Sequence, residues 1–395
     1  MSESGPINYC LITASFRQSD GANRTGWATY AETMADCLRR GGVRVTVVVI
    51  HEAIDTGIAA RDTSPDTVHL QLRWVYLASL LLPGFVEGLQ LLRAVRKLDR
   101  ERHFDVIEGP NVAGICWALA VWFGRRFLVR VHTSLVAPRG ELPQQRTWRE
   151  VFKWRLDVFT GRSARLVVTH SQAHAATVAG QYGIREANIV LVPHAVPDPG
   201  PTLPGNPHRI LAIANAVHRK GVDILLDAFA QVHAKVPDAE LVIVGTTPGD
   251  LERMLAAVSR PTETLAARIH ALGPIADESL DLEWQRAGVV VVPSRYESFG
   301  LVAVEGMARG KAVIVSNGGA LAEVVGDGGI VVALEDADAL ALAVVEVLNS
   351  PDRRAELGVA GRRRYERCYR PEELTRRMGD LIAKFRAGSR VVRLS

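Results

Sequence analysis

The chain has 395 residues, 48% of them hydrophobic, with 47 basic against 43 acidic side chains and a formal net charge of +4. That length exceeds what one ordinary core serves, so two domains are expected, and the apolar content suffices to pack both. The charge is too small and too evenly mixed for a dedicated nucleic-acid binder, and no such motif is present; it favours anionic ligands or surfaces.

The four cysteines, Cys10, Cys37, Cys116 and Cys368, lie far apart in apparent strands and helices. They give neither metal-ligand spacing nor a disulfide framework, so a reducing cytoplasm is the expected location. The opening Met1-Ser-Glu-Ser-Gly-Pro lacks a charged-then-apolar leader, and no signal peptide is expected. The longest apolar run, Val112 to Phe123, is too short to span a bilayer and reads as a buried crossover helix.

In chain order, Asn8 to Thr13 reads as a strand, Ala14 to Gly26 as a loop and Trp27 to Arg40 as a helix closed by Gly41-Gly42. Val43 to Ile50 is β-branched except for Arg44, and completes a Rossmann-like opening. A strand over Thr67 to Leu72 precedes a helix over Phe85 to Arg100, whose Arg93, Arg96, Lys97 and Arg100 form a solvated face. Asp105 to Glu108 is the next strand. Glu108 ends it at the sheet's carboxyl edge, where it is either a partner for an acceptor hydroxyl or an ordinary loop acid.

Arg126 to His132 is a strand that emerges on His132. Trp148, Val151, Phe152, Arg155, Leu156 and Phe159 follow helical spacing, with Arg149 and Lys153 opposite. Such a helix can lie on a membrane, but the buried strand that follows at once, Arg165 to Thr169, favours a crossover helix packed on the sheet. Peripheral membrane contact is therefore not the favoured expectation. Ser171 is placed to cap the next helix. His170 and His174 lie four apart, and without a third ligand in reach they read as structural. Ile189 to Pro193 closes the first half, and the proline-rich segment His194 to Pro207 is an interdomain linker.

The pattern then restarts with a strand over Arg209 to Ala214, a helix over Gly221 to Lys235 and a strand over Glu240 to Val244. Between the first two lies the basic loop Asn215-Ala-Val-His-Arg-Lys-Gly221. After a short strand at Arg268 to Leu272, Gly288 to Val292 is an unbroken β-branched run, as a strand buried on both faces should be. Ser294 to Leu301 then forms a loop into the helix Val302 to Arg309, and Lys311 to Val315 is the following strand. Loops at the carboxyl edge of a parallel sheet bind ligands, and amides at a helix start suit an anionic group. Glu297 and Glu305 flank those amides with seven residues between them, a pair of acceptors fit for hydroxyl-rich cargo. Asp336-Ala-Asp338 opens the helical run Ala337 to Leu348, where acids cap and complement the dipole. No metal is expected there. Pro371 to Arg386 is the last helix.

The stretch Pro293 to Gly319 resembles the signature of the retaining glycosyltransferases of family 4. The resemblance implies an α/β protein with the GT-B fold: two Rossmann-like domains with parallel sheets facing an interdomain cleft. Residues 1–200 would form the acceptor domain, 201–370 the nucleotide-sugar donor domain, and 371–395 a helix crossing back to the first. By the same resemblance Glu297 contacts the donor sugar and Glu305 holds the ribose, while the helix-start amides of Ser298, Phe299, Gly300 and Leu301 would receive the diphosphate. Lys220 matches the family's diphosphate-gripping lysine, while Asn215 stands where the family has an arginine. Arg219 is the candidate to replace that charge. His132 matches a histidine that faces the transferred sugar. Gly21 is the best match to a glycine pair in the first loop, and the Gly273 neighbourhood to a contact with the nucleotide base.

The implied activity is hexosyl transfer from a nucleotide-diphosphate sugar to an acceptor hydroxyl, with His132, Glu297 and Lys220 carrying the chemistry. Neither a metal nor a further cofactor is implied, and the acceptor is a small molecule, a lipid or a glycan. Two alternatives share the donor site: a GT-B-like nucleotide-sugar epimerase, and a non-catalytic nucleotide-sugar-binding protein, which Asn215 favours.

Overall fold

Runs of valine and isoleucine without polar alternation build two all-parallel sheets, each covered by helices on both faces, the arrangement such runs require. In the computed structural model the described residues are 6–14, 26–52, 65–72, 82–132, 147–202, 205–256 and 263–387. They fall into two compact units, one running to Ala195 and resuming at Pro371, the other Val196–Arg370.

The first unit is built from β1 (Asn8–Thr13), α1 (Gly26–Arg40), β2 (Arg44–Glu52), β3 (Thr67–Leu72), α2 (Phe85–Arg102), β4 (Val106–Pro110), α3 (Trp117–Phe123), β5 (Phe127–Arg130), α4 (Trp148–Ser163), β6 (Leu166–Thr169), α5 (Gln172–Tyr182) and β7 (Ile189–Leu191). Its strand order is β3-β2-β1-β4-β5-β6-β7, all parallel. The second unit contains β8 (Arg209–Ile213), α6 (Val222–Lys235), β9 (Glu240–Val244), α7 (Pro248–Leu255), α8 (Glu263–Ala266), β10 (Ile269–Gly273), α9 (Asp277–Arg286), β11 (Val289–Val292), α10 (Leu301–Ala308), β12 (Ala312–Ser316), α11 (Leu321–Val325), β13 (Ile330–Val332), α12 (Ala337–Asn349) and α13 (Pro351–Cys368). Its order is β10-β9-β8-β11-β12-β13, again parallel. The last helix, α14 (Pro371–Arg386), belongs to the first unit.

One face of the first sheet packs against α1 and α14, where Tyr30, Met34 and Leu38 share a core with Leu374, Met378, Leu381, Ile382 and Phe385. The other face carries α2, α3 and α5 through Leu91, Val95, Leu119, Phe123 and Val178. In the second unit Leu225, Phe229 and Val232 of α6 join Leu340, Val344 and Val347 of α12 over the valines of β11.

Two sequence expectations fail here. Only Trp117–Phe123 of the run Val112 to Phe123 is helical, and Val121 and Trp122 are exposed at 58% and 56%. Trp122 is instead covered by the Arg96 guanidinium, 3.8 Å above its ring. The aromatic stripe of α4 is not core either, since Trp148 and Phe159 are 54% and 45% exposed. The helix buries Asp157, Thr160 and Gly161 instead. The cause is close packing: a Cβ on Gly161 would stand 2.3 Å from the Tyr182 ring, so the small face goes inward. Among the described residues no helix is long and apolar enough to cross a membrane.

Candidate active site

In the second sheet the chain leaves β8 toward β9 and later returns on its other side with β11. From β8 and β11 the chain goes on to strands on opposite sides, which makes this the switch point where open α/β sheets take their ligands. The loops after β8 and β11 are Asn215 to Gly221 and Pro293 to Gly300. They are fastened backbone to backbone. The Arg295 amide donates to the Arg219 carbonyl at 2.8 Å, and the Arg295 guanidinium donates to the His218 carbonyl at 2.7 Å. The same guanidinium forks onto both carboxylate oxygens of Asp223 at 2.8 and 2.7 Å, a bidentate pair that fixes geometry as well as energy. Gly221 sits at φ +66°, and a Cβ there would lie 2.1 Å from the Pro293 carbonyl oxygen. Only glycine allows this approach.

The clamp brings two of the expected residues, Lys220 and Arg219, onto the carboxylate of a third, Glu297. Lys220 Nζ donates to Glu297 Oε1 at 2.7 Å, and the Ser294 hydroxyl donates to the same oxygen at 2.9 Å. A guanidinium nitrogen of Arg219 stands 3.4 Å from Glu297 Oε2 while donating to the Tyr296 carbonyl at 2.8 Å. Burial pushes the Glu297 carboxyl up, but the charges of Lys220 and Arg219 and the hydrogen bonds of Lys220 and Ser294 outweigh it, and the net shift is downward. Glu297 is therefore an ionised acid between two cations. Its backbone is anchored too, because its carbonyl accepts from the Ala320 amide at 2.8 Å and it bridges Gly319. Ser294 was not singled out in the sequence as a partner; its place three residues before Glu297 is the signal.

The chain then enters α10 through Gly300, whose φ of +103° lets the loop turn into the helix axis. First-turn amides of a helix have no intrahelical acceptor, which is what an anion uses. The Phe299 ring is buried edge-on to Tyr369 with centroids 5.6 Å apart, so its side chain packs the loop down. Glu305 lies half-buried on the second turn, and Asn215 is exposed at the end of β8. Asp336 caps α12 by accepting from the Ala339 amide at 2.8 Å, and Asp338 accepts from Gln231 at 2.7 Å. Gly21 lies outside the described residues.

In the first unit His132 follows β5, its amide bonded to Asn111 Oδ1 at 2.9 Å. It does not stand alone. Its ring centroid lies 5.2 Å from that of His170 and 5.8 Å from that of His194, with the Tyr30 ring edge-on at 4.5 Å. Burial lowers the basicity of His132, and His194, Arg130 and His174 lower it further, so the imidazole is neutral. Beneath the cluster, Glu108 is 1% exposed and wholly engaged. Arg130 grips it at 2.7 and 3.3 Å, and the hydroxyls of Tyr9 and Tyr30 both donate to it. Glu108 is thus a buried ion-pair partner and not a contact for an acceptor. The premise that His170 has no third ligand in reach fails, since its neighbours include His132 and His194.

Two family descriptions divide the chain: Glycosyltransferase Family 4 matches residues 24–198 and Glycosyl transferases group 1 matches residues 198–364. The chain is 31% identical to an MMP alpha-(1->4)-mannosyltransferase of Mycolicibacterium hassiacum, over 76% of this chain and 74% of that one. It is 26% identical to a D-inositol 3-phosphate glycosyltransferase of Pseudarthrobacter chlorophenolicus, over 89% and 88%. Among solved structures, sucrose-phosphate synthase from Thermosynechococcus elongatus superposes with a TM-score of 0.76 at 24% identity, covering 97% of this chain and 100% of the other. Anabaena HepE in complex with UDP-glucose gives 0.71 at 18% identity, covering 96% and 100%. With two parallel Rossmann-like sheets, a clamped loop at the switch point of the second and relatives of this kind, the chain belongs to the group 1, family 4 glycosyltransferases of GT-B fold and is a glycosyltransferase.

Proposed function

We propose that the enzyme transfers a hexosyl group, a mannosyl group in the first instance, from a nucleoside diphosphate sugar to an acceptor hydroxyl, with retention at the anomeric carbon and without a metal ion. The observation that carries this reading is the ion pair of Lys220 with Glu297 at the switch point of the second sheet, with Arg219 beside it. The difficult part of such a transfer is charge: the leaving diphosphate gains negative charge as the sugar becomes oxocarbenium-like. Lys220, Arg219 and the amides of Ser298 to Leu301 stabilise that charge from fixed positions. Two cations placed so leave no need for a metal, and Arg219 makes good the charge absent at Asn215. Glu297, held ionised, orients the sugar hydroxyls, and Glu305 receives the ribose. The neutral ring of His132 serves as a hydrogen-bond partner for the sugar.

Mannose is favoured by the names of relatives, among them a GDP-mannose-dependent mannosyltransferase of Mycolicibacterium smegmatis that is 34% identical over 39% of this chain. The acceptor is a hydroxyl on a small molecule, a lipid or a glycan, with cyclitol phosphates and phosphatidylinositols the first to try. The test is a thermal-shift panel of guanosine, uridine, adenosine and thymidine diphosphosugars, since a ligand at 100 times its Kd stabilises by about 2.7 kcal/mol. GDP-mannose is expected to raise the melting temperature most. If none of the panel raises it, the reading fails.

A further inference from the structure

Three neighbouring strands of the first sheet each end near a histidine. β5, β6 and β7 lie side by side, and His132, His170 and His194 stand just beyond their carboxyl ends. One ring nitrogen from each lies within 4.8 Å of the other two, and all three side chains are buried. The strand ends hold these positions firmly: Asn111 fixes the His132 amide, and the Tyr30 ring sits edge-on to both His132 and His194 at 4.5 and 4.9 Å.

Glu108, beneath the cluster, is taken up by Arg130, Tyr9 and Tyr30 and is not free to balance an imidazolium. Burial holds His132, His170 and His194 well below the usual histidine range, with charge repulsion adding to it. The rings are therefore neutral, the form in which imidazole offers a lone pair to a metal.

We propose that His132, His170 and His194 form a three-imidazole site for a divalent late transition-metal ion, zinc by preference, with its fourth position open to water. Three nitrogen donors and an open position are a known zinc arrangement, and bonds of about 2.0–2.1 Å at tetrahedral angles need donor nitrogens about 3.3 Å apart. The nitrogens here lie within 4.8 Å of one another, and the His170 and His194 rings are stacked with centroids 3.7 Å apart. Closing the set requires the rings to turn, and χ2 is a broad torsion for histidine. Nitrogen donors without a free carboxylate disfavour magnesium and calcium, which demand oxygen. On the reading of His132 given under Proposed function, a bound ion also takes the lone pair next to the transferred sugar, so zinc inhibits transfer.

The test uses the full chain stripped with chelator and titrated with Zn²⁺ by calorimetry and with Co²⁺ by visible absorption. One ion per chain is expected, with no response to Mg²⁺. His170→Asn and His194→Asn should each weaken Zn²⁺ binding by more than the roughly 10- to 100-fold lost with an outer-sphere partner. His208→Ala, a histidine of the second unit, should leave it unchanged. X-ray absorption of the zinc-loaded wild type does not depend on the variants folding, and should show a shell of three imidazole nitrogens. Absence of stoichiometric zinc, a shell without imidazole, or binding indifferent to both variants would overturn the proposal. Zinc bound by three imidazoles with transfer unaffected upholds the site and removes His132 from the sugar.

Discussion

The Lys220 ammonium and the Glu297 carboxylate stand 2.7 Å apart, each compensating the other's charge in a partly buried loop. Lys220→Ala leaves Glu297 with Ser294 and the more distant Arg219. Turnover is expected to fall at least about tenfold, and loss of one preorganised donor typically costs about 2.7–4 kcal/mol of barrier, roughly 100- to 1,000-fold. Steady-state kinetics with saturating donor measures this, and wild-type turnover would remove Lys220 from the site.

Glu305 lies on the second turn of α10, half-buried, and its proposed work is on the nucleotide alone. Glu305→Ala should weaken nucleotide affinity by roughly 1.5–3 kcal/mol, the usual worth of a hydrogen bond to a charged group. Calorimetry with the free nucleoside diphosphate reads this directly. Unchanged affinity contradicts the ribose role.

Gly221 joins the two site loops with a positive φ and no room for a side chain. Gly221→Ala must force the Pro293 carbonyl away, and the backbone strain alone is worth roughly 1–3 kcal/mol. A lower melting temperature and weaker donor binding should appear together, because Lys220 moves with its neighbour. Gly249→Ala is the comparison: a Cβ there meets nothing within 4 Å, and its melting temperature should hold.

Asp157 sets a pH dependence of the first unit. Burial pushes its carboxyl up to about 7, against a weaker pull from the Gly114 amide and Lys153. At low pH the folded and unfolded chains both carry the proton and nothing is lost. As pH rises from the usual carboxyl range toward 7, the unfolded chain ionises first and stability drains away. Asp157→Asn keeps an oxygen for the Gly114 amide, which Asp157 Oδ1 accepts at 2.9 Å, and cannot ionise. The variant should melt above wild type at about pH 8, and the gap should close toward about pH 4. A gap of constant size would refute the cause.

Much of the fold was legible because most of its strands are unalternating apolar runs, as in β9, while β3, which alternates, and α14 also fall where the sequence puts them. The helices α9 and α13 were not legible. α9 buries only Glu283 and Trp284, and α13 shows its core through Leu357, Gly358, Gly361 and Tyr365, two of them glycines. Neither offers an apolar stripe to read. At the site, Lys220 and Glu297 were readable as motif positions, but their contact spans 77 residues of sequence and only the fold supplies it. The same holds for Glu108, whose partners Tyr9, Tyr30 and Arg130 come from three separate elements. His194 looked like the start of a linker; its place beside His170 depends on β7 lying next to β6.

The final helix has a consequence for how the chain is made. Leu374, Met378, Leu381, Ile382 and Phe385 fill a core whose other members come from the first 195 residues. Each such side chain contributes roughly 1.5–3 kcal/mol when buried. Emerging from the ribosome, the amino-terminal half must wait with that groove bare while the whole of Val196–Arg370 is synthesised. The unit begun first is thus finished last, and the intervening one can close around its own core beforehand.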